Sequence, residues 1–371
     1  MTPRHRLLRT LRGGRVDRVP LVLPGFQCSS REGLTEIGDP RRRQVAERVF
    51  DRLHFDVGVP AHANRMLVTP PQRIRTEAEE LAGGHRRIRG VIDTPKGELA
   101  FVREWSPEAN TSWAIKHPVS TYEEIEKIAS VPWERPEGLA PPDLGELPAD
   151  FPRRGIVATR ISSPFVCVAG MMPREWFLEL CLTDLELVRE LTDICRQRML
   201  DILGVLLSRP GIEYVWIGGS EWVTPPMASP RIYDALVQEQ ERDLIACAHE
   251  KAGAVAHIHC HGRVRHALRR TIERGGDYTE PVEPPPDGDI TMAEAKALAA
   301  GRITLGGNIE CRVLAYGTRE DVERAVRAAF EGGKERFVLR PTEGPSPRLD
   351  PREFENWMIM IDLWEELSPI P

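Results

Sequence analysis

The sequence predicts an α/β fold of the (β/α)8, or TIM-barrel, class on three observations. Short apolar runs alternate with helix-length segments as far as the C-terminus. The runs number eight once those near 19–23 and 55–59 are included. No G-x-G-x-x-G follows any of them, which sets aside an open dinucleotide-binding sheet. With 371 residues, 41% of them hydrophobic, the chain suffices for one such barrel with insertions, so residues 1–371 are read as a single catalytic domain.

Pro3 to Leu11 has the apolar spacing of an amphipathic helix, which Gly13-Gly14 ends before the run Val19 to Leu23. Two strand-like runs flank Asp93-Thr94-Pro95-Lys96-Gly97 and predict a β-hairpin, inserted into the barrel near residues 87–105. Prolines 132, 136, 141, 142, 148 and 152 forbid a helix there and predict an extended surface connection. Beyond it, strands are expected over 155–160, 213–219, 254–259, 277–280, 302–306 and 336–340. Helices are expected over 173–208, 230–252, 263–274, 291–300 and 319–332.

Charge excludes some partners. Fifty Lys and Arg are scattered among 56 Asp and Glu for a net charge of -6, which predicts no nucleic-acid surface. No apolar stretch reaches the roughly 18 to 20 residues of a membrane helix, and the N-terminus lacks the apolar core of a signal peptide. A cytoplasmic protein without a membrane partner is expected. Seven cysteines without a C-x-x-C pair predict reduced thiols, with neither a disulfide framework nor a zinc ribbon.

In a barrel of this class, catalytic groups stand at the C-terminal ends of strands. Strand parity on the run near 254 puts His257, His259 and His261 on one face and Ile258 and Cys260 on the other. The polar face is the inward one. His259 and His261 then lie side by side at the mouth, where two imidazoles reach one divalent metal ion, with His257 below them as an interior, hydrogen-bonded histidine. Glu221, Asn308, Glu310 and Glu343 follow other strands, each open to a site role or to a second one as helix cap or loop charge. Arg160 ends a further strand, and Asp277 and Glu280 lie on another. The arginine either binds a substrate anion or neutralises those acids.

The order of several segments resembles the uroporphyrinogen decarboxylase superfamily over nearly the whole chain. The segments are Arg6 to Pro20, Pro225-Pro226-Met227-Ala228-Ser229-Pro230, His259-Cys260-His261-Gly262, Gly307-Asn308-Ile309-Glu310, Gly317-Thr318-Arg319-Glu320-Asp321-Val322 and Pro341-Thr342-Glu343-Gly344-Pro345. Its zinc-dependent, corrinoid-linked methyltransferase branch holds the metal with a His-x-Cys-Gly segment and a later cysteine. The matching positions here are His259, His261 and Glu343, an imidazole and a carboxylate replacing the two thiolates. The resemblance implies a metal-dependent methyltransferase or demethylase that moves a methyl group between a small molecule and a corrinoid on a separate protein. Zinc or another divalent transition metal would be its cofactor, Glu221 a fourth ligand or a base, Asn308 a positioning group, and pairing at the barrel mouths would give a homodimer. The decarboxylase branch binds a tetrapyrrole through an arginine-rich segment. Here Pro24 to Arg31 holds one arginine, so a carboxy-lyase is the second reading and a non-catalytic ligand-binding barrel the third.

Overall fold

The structure, a computed structural model, describes residues 1–61, 71–107 and 111–371. Eleven strands are found among them: β1 (Phe55–Val59), β2 (Ile74–Glu80), β3 (Arg86–Thr94), β4 (Gly97–Ser106), β5 (Thr111–Lys116), β6 (Gly155–Ser162), β7 (Tyr214–Gly218), β8 (Val255–His259), β9 (Tyr278–Glu280), β10 (Thr304–Ile309) and β11 (Phe337–Pro341). Strands β1 and β6 to β11 form one parallel sheet in chain order, curled as in a TIM barrel. β6 and β11 are apolar or buried almost throughout, as strands covered on both faces must be. Helices return the chain between strands, among them Leu185–Leu206, Glu239–Ala252, Arg265–Glu273, Met292–Ala299 and Arg319–Phe330.

The sheet has seven strands and not the eight expected. The run Val19 to Leu23 makes one bridge, Leu21 to Leu339, with the Val22 N–H donating to Leu339 O at 3.0 Å and the Leu339 N–H to Pro20 O at 3.0 Å. Pro20 and Pro24 lack the N–H groups that a longer ladder needs, so the run occupies the place beside β11 without becoming a strand. Two helix expectations are also corrected. Asp184 divides 173–208 into Arg174–Thr183 and Leu185–Leu206, its carboxylate accepting the Leu187 N–H at 3.4 Å as the cap of the second. The segment 230–252 passes through a π-helical turn at Asp234–Gln238.

In place of an isolated hairpin near 87–105, residues 74–116 form a second sheet, antiparallel, in the order β2-β3-β4-β5. β3 and β4 meet at Thr94 and Gly97 across Pro95-Lys96.

Helix α1 (Pro3–Leu11) closes the N-terminal end of the curled sheet. Its Leu7, Leu8 and Leu11 pack with Val22, Ile156, Val255, Tyr278 and Val338, and each such leucine contributes about 1.5–3 kcal/mol on burial. Thr304 Oγ1 donates to Thr10 O at 2.9 Å and fixes the plug. Polar interior side chains are thereby left to the other end. Arg154, wholly buried, ties the chain after the first run to the sheet by donating to Phe50 O at 2.9 Å and Cys28 O at 3.0 Å while pairing with Asp150. Among the described residues no helix is long and apolar enough to cross a membrane. All seven cysteines are free thiols.

Candidate active site

Strand β8 alternates as its parity requires. In register across the sheet, Trp216, His257 and Tyr278 form one layer and Gly218, His259 and Glu280 the next layer toward the C-terminal ends. His257 is 3% exposed, with the Tyr278 ring 4.4 Å and the Tyr214 ring 5.2 Å away. Burial pushes it down to about 4, against the pull of Glu280, so it is neutral at pH 7. Its Nδ1 therefore accepts from the Tyr214 hydroxyl, and its Nε2–H stands 2.8 Å from Glu280 Oε1. His259 donates from Nδ1 to the same oxygen at 2.8 Å, its ring tilted over Trp216 at 5.0 Å.

Glu280 is 1% exposed, and a lone carboxylate there would be costly. Arg340 Nη1 lies 2.8 Å from its other oxygen. Burial raises the Glu280 carboxyl, but Arg340 and the two imidazoles outweigh it and hold the group well below the usual carboxylate range. A cleft of about 310 Å3 is lined by this cluster and reaches down to Leu7, and Arg160, Asp56 and His54 stand on its wall. Arg160 Nη2 is 3.1 Å from Asp56 Oδ2, and His54 Nε2 is 3.4 Å from Asp56 Oδ1.

His261 lies beyond the strand. Its ring centre is 4.6 Å from that of His259 at 83°, and its Nδ1–H donates to Glu283 Oε1 at 2.9 Å. Gly262, at φ +81°, turns the chain so that its own N–H donates to Glu283 Oε2. Burial lowers His261, but Glu283, Glu280 and Glu221 together raise it above the ordinary histidine value. Glu221 is placed by Gly219, whose φ of +99° and lack of a Cβ, which would sit 2.6 Å from Val166 Cγ2, let the chain turn tightly after β7. Its Oε2 is buried without a hydrogen-bond partner among the described residues. Cys260 faces the helices beside Tyr233 and Arg274, where burial pushes its thiol far up and keeps it unreactive.

The structure thus puts His259 and His261 side by side, with Glu221 near enough to raise His261 electrostatically and Arg160 on the cleft wall. Asn308 is buried at the end of β10, in register with Arg340. Glu343 is exposed after β11, and its backbone N–H donates to Cys311 Sγ at 3.0 Å. Glu310 pairs with Arg312 at 2.8 Å. Asp277 is not at the mouth. It precedes β9 at the opposite end, accepting from the Ala256 N–H at 2.8 Å and His249 Nε2 at 2.7 Å. Sequence reasoning missed Glu283, Tyr214 and Arg340. The signal for Glu283 was its place three residues after Glu280 in Glu280-Pro281-Val282-Glu283.

Each imidazole at the mouth is braced through Nδ1 by a carboxylate, an arrangement that fixes the ring orientation of metal-binding histidines. The donors fit such an ion at these two positions. The third is not in place, because the described residues hold no group of three or more His, Cys, Asp or Glu side chains able to bind a metal, and His259, His261 and Glu343 are not assembled as one set.

The uroporphyrinogen decarboxylase family model matches residues 115–364. The chain belongs to the uroporphyrinogen decarboxylase family. No curated protein matches it. Among solved structures, a methyltransferase from Methanosarcina mazei is similar in fold, with a TM-score of 0.60 at 15% identity over 99% of each chain. A B12-independent methionine synthase from a Shewanella species, in complex with selenomethionine, aligns at a TM-score of 0.41 and 8% identity over 81% of this chain and 78% of its own. As a family member the chain is an enzyme of the TIM-like fold, with its polar cluster at the strand ends where that fold places active sites.

Proposed function

We propose that residues 1–371 act as one metal-dependent methyltransferase or demethylase, moving a methyl group between a small molecule and a corrinoid carried on a separate protein. The observation that carries this reading is the His259–His261 pair, adjacent rings each oriented through Nδ1 by its own carboxylate. These two residues would hold zinc or another divalent transition metal, with Glu221 or Glu343 as the third protein donor. When bound, the ion supplies Lewis-acid activation of a thiol, alcohol or water at neutral pH. Where Glu343 completes the donor set, Glu221, whose Oε2 is buried without a hydrogen-bond partner among the described residues, would take up the proton that the nucleophile sheds. Arg160, on the cleft wall, orients an anionic part of the substrate, and buried Asn308 supports the strand ends.

Elemental analysis of protein purified from metal-replete medium tests it. About one transition-metal ion per chain, lost in His259→Ala/His261→Ala, is expected. Metal-free wild-type protein, or undiminished metal in the double variant, would overturn the reading.

A carboxy-lyase acting on a tetrapyrrole is the second reading, favoured by the family itself and by the exposed Arg160 guanidinium at the cleft. Conversion of uroporphyrinogen by metal-free protein would establish it.

A further inference from the structure

The four-stranded sheet has two chemically different faces. On one, Arg75, Arg87 and Arg89 are matched to carboxylates: Arg75 lies 3.0 Å from Asp93 and 2.6 Å from Glu98, Arg87 2.5 Å from Glu104, and Arg89 2.8 Å from Glu79. Register places Ile74, Thr76, Ile88, Ile92, Phe101 and Arg103 together on the other. That face covers a cavity of about 660 Å3, within the range of small-molecule sites, whose far wall includes Val166, Met171 and Trp222. Gly90 has no side chain, so the Phe101 ring lies flat across β3 and leaves the space open.

Two features say what the cavity takes. Its lining is mostly aliphatic and aromatic, yet Arg103 enters it with no carboxylate at ion-pair distance among the described residues. Arg174, also without an ion pair among them, lies 4.6 Å over the Trp222 ring at the edge. The cavity also adjoins the candidate active site. Ser162 lines it and is in register with Gly218, which is in register with His259, so two strand spacings of about 4.8 Å separate them. Trp222 follows Glu221 directly. Strands β2, β3 and β4 precede residue 115, where the family match begins, so most of the roof lies outside the matched segment.

We propose that the roofed cavity is the specificity pocket of this enzyme, and that it takes a small molecule with an apolar ring body and one anionic group bound by Arg103. This rests on reading the strand ends as the reacting site. The body fills the space under β2 to β4, the anion meets Arg103 and the Arg174 edge, and the opposite end of the molecule points toward Glu221 and His259.

Titration calorimetry with 2-naphthoate and its neutral counterpart 2-naphthalenemethanol tests the pocket. Wild-type protein binds both, the anion more tightly. Arg103→Gln weakens naphthoate about tenfold and leaves the alcohol unchanged, as loss of one charge-assisted contact requires. Thr76→Trp, on the edge strand, fills the cavity and weakens both. Circular dichroism melts of the two variants, both at exposed positions, confirm that they are folded. Absence of binding by wild-type protein at millimolar probe, or equal naphthoate affinity in all three folded proteins, overturns the proposal. Repeating the titration on His259→Ala/His261→Ala separates it from the metal reading: unchanged binding supports the pocket on its own, and loss of binding in the folded double variant overturns it.

Discussion

His259 donates from Nδ1 to Glu280 Oε1 at 2.8 Å, and Glu280 is held for this by Arg340, 2.8 Å from its other oxygen. The bond fixes the orientation of the His259 ring. His261 repeats the device with Glu283 at 2.9 Å. Orientation of both rings is therefore built into the polypeptide.

Glu280→Gln should weaken zinc binding about 10- to 100-fold, because the neutral amide no longer supplies the charge that Arg340 holds and that braces the His259 ring. Leaving Arg340 buried without its carboxylate should also cost about 3–5 kcal/mol of stability. The double variant Glu280→Gln/Arg340→Met separates the effects, since it removes the unpaired charge and recovers stability while zinc binding stays weak. Chelator competition and urea unfolding measure the two quantities. Unchanged zinc affinity in Glu280→Gln would remove the orienting role.

Glu221 and Glu343 should respond differently. Glu221 has a buried oxygen without a hydrogen-bond partner among the described residues and raises His261 electrostatically, whereas Glu343 is exposed beside Cys311. Glu221→Gln is expected to weaken metal binding about tenfold, and Glu343→Gln by less than about threefold. A larger loss in Glu343→Gln would show that the loop after β11 closes over the ion.

Strand parity made the heart of this site legible before any coordinates. It put His257 and His259 inward and Cys260 toward the helices, as found. Partners across strands carry no local pattern, so Tyr214, Arg340 and Glu283 stayed hidden. Asp277 was misplaced for a related reason. β9 spans only Tyr278–Glu280, and periodicity over so short a run does not say which end of the sheet its flanking acid reaches. The segment 19–23 has strand composition, but its flanking prolines limit it to a single bridge. The antiparallel sheet was underestimated because β2 is charged and exposed along most of its length, without the alternation that marks a half-buried strand.

Arg154→Met should destabilise the fold by about 1–3 kcal/mol, since it leaves the carbonyls of Phe50 and Cys28 without their donor and Asp150, about a quarter exposed, with Arg153 as its remaining cation. The methionine keeps the contact with the Phe50 ring, over which the guanidinium carbon now sits at 3.7 Å. Urea midpoints measure the loss. A change below about 1 kcal/mol would mean that the segment around Cys28 is held by its apolar neighbours instead.

The pair His249 and Asp277 should make stability fall as pH rises above about 6.5. The 2.7 Å hydrogen bond to Asp277 outweighs burial and raises His249 above its ordinary 6.5. The folded state therefore keeps a proton that the unfolded chain releases near pH 6.5. This contribution is complete below that pH and disappears as pH rises through the folded value. Both side chains are about a third exposed, so solvent screening limits it to less than about 1 kcal/mol. Asp277→Asn keeps an oxygen that can accept from both the Ala256 N–H and His249 but removes the negative charge that favours the imidazolium. Urea unfolding at pH 5.5 and 9 is expected to show wild-type protein more stable than the variant at the lower pH only. A gap of equal size at both would mean that Asp277 acts through Ala256 alone, with no contribution from the imidazolium.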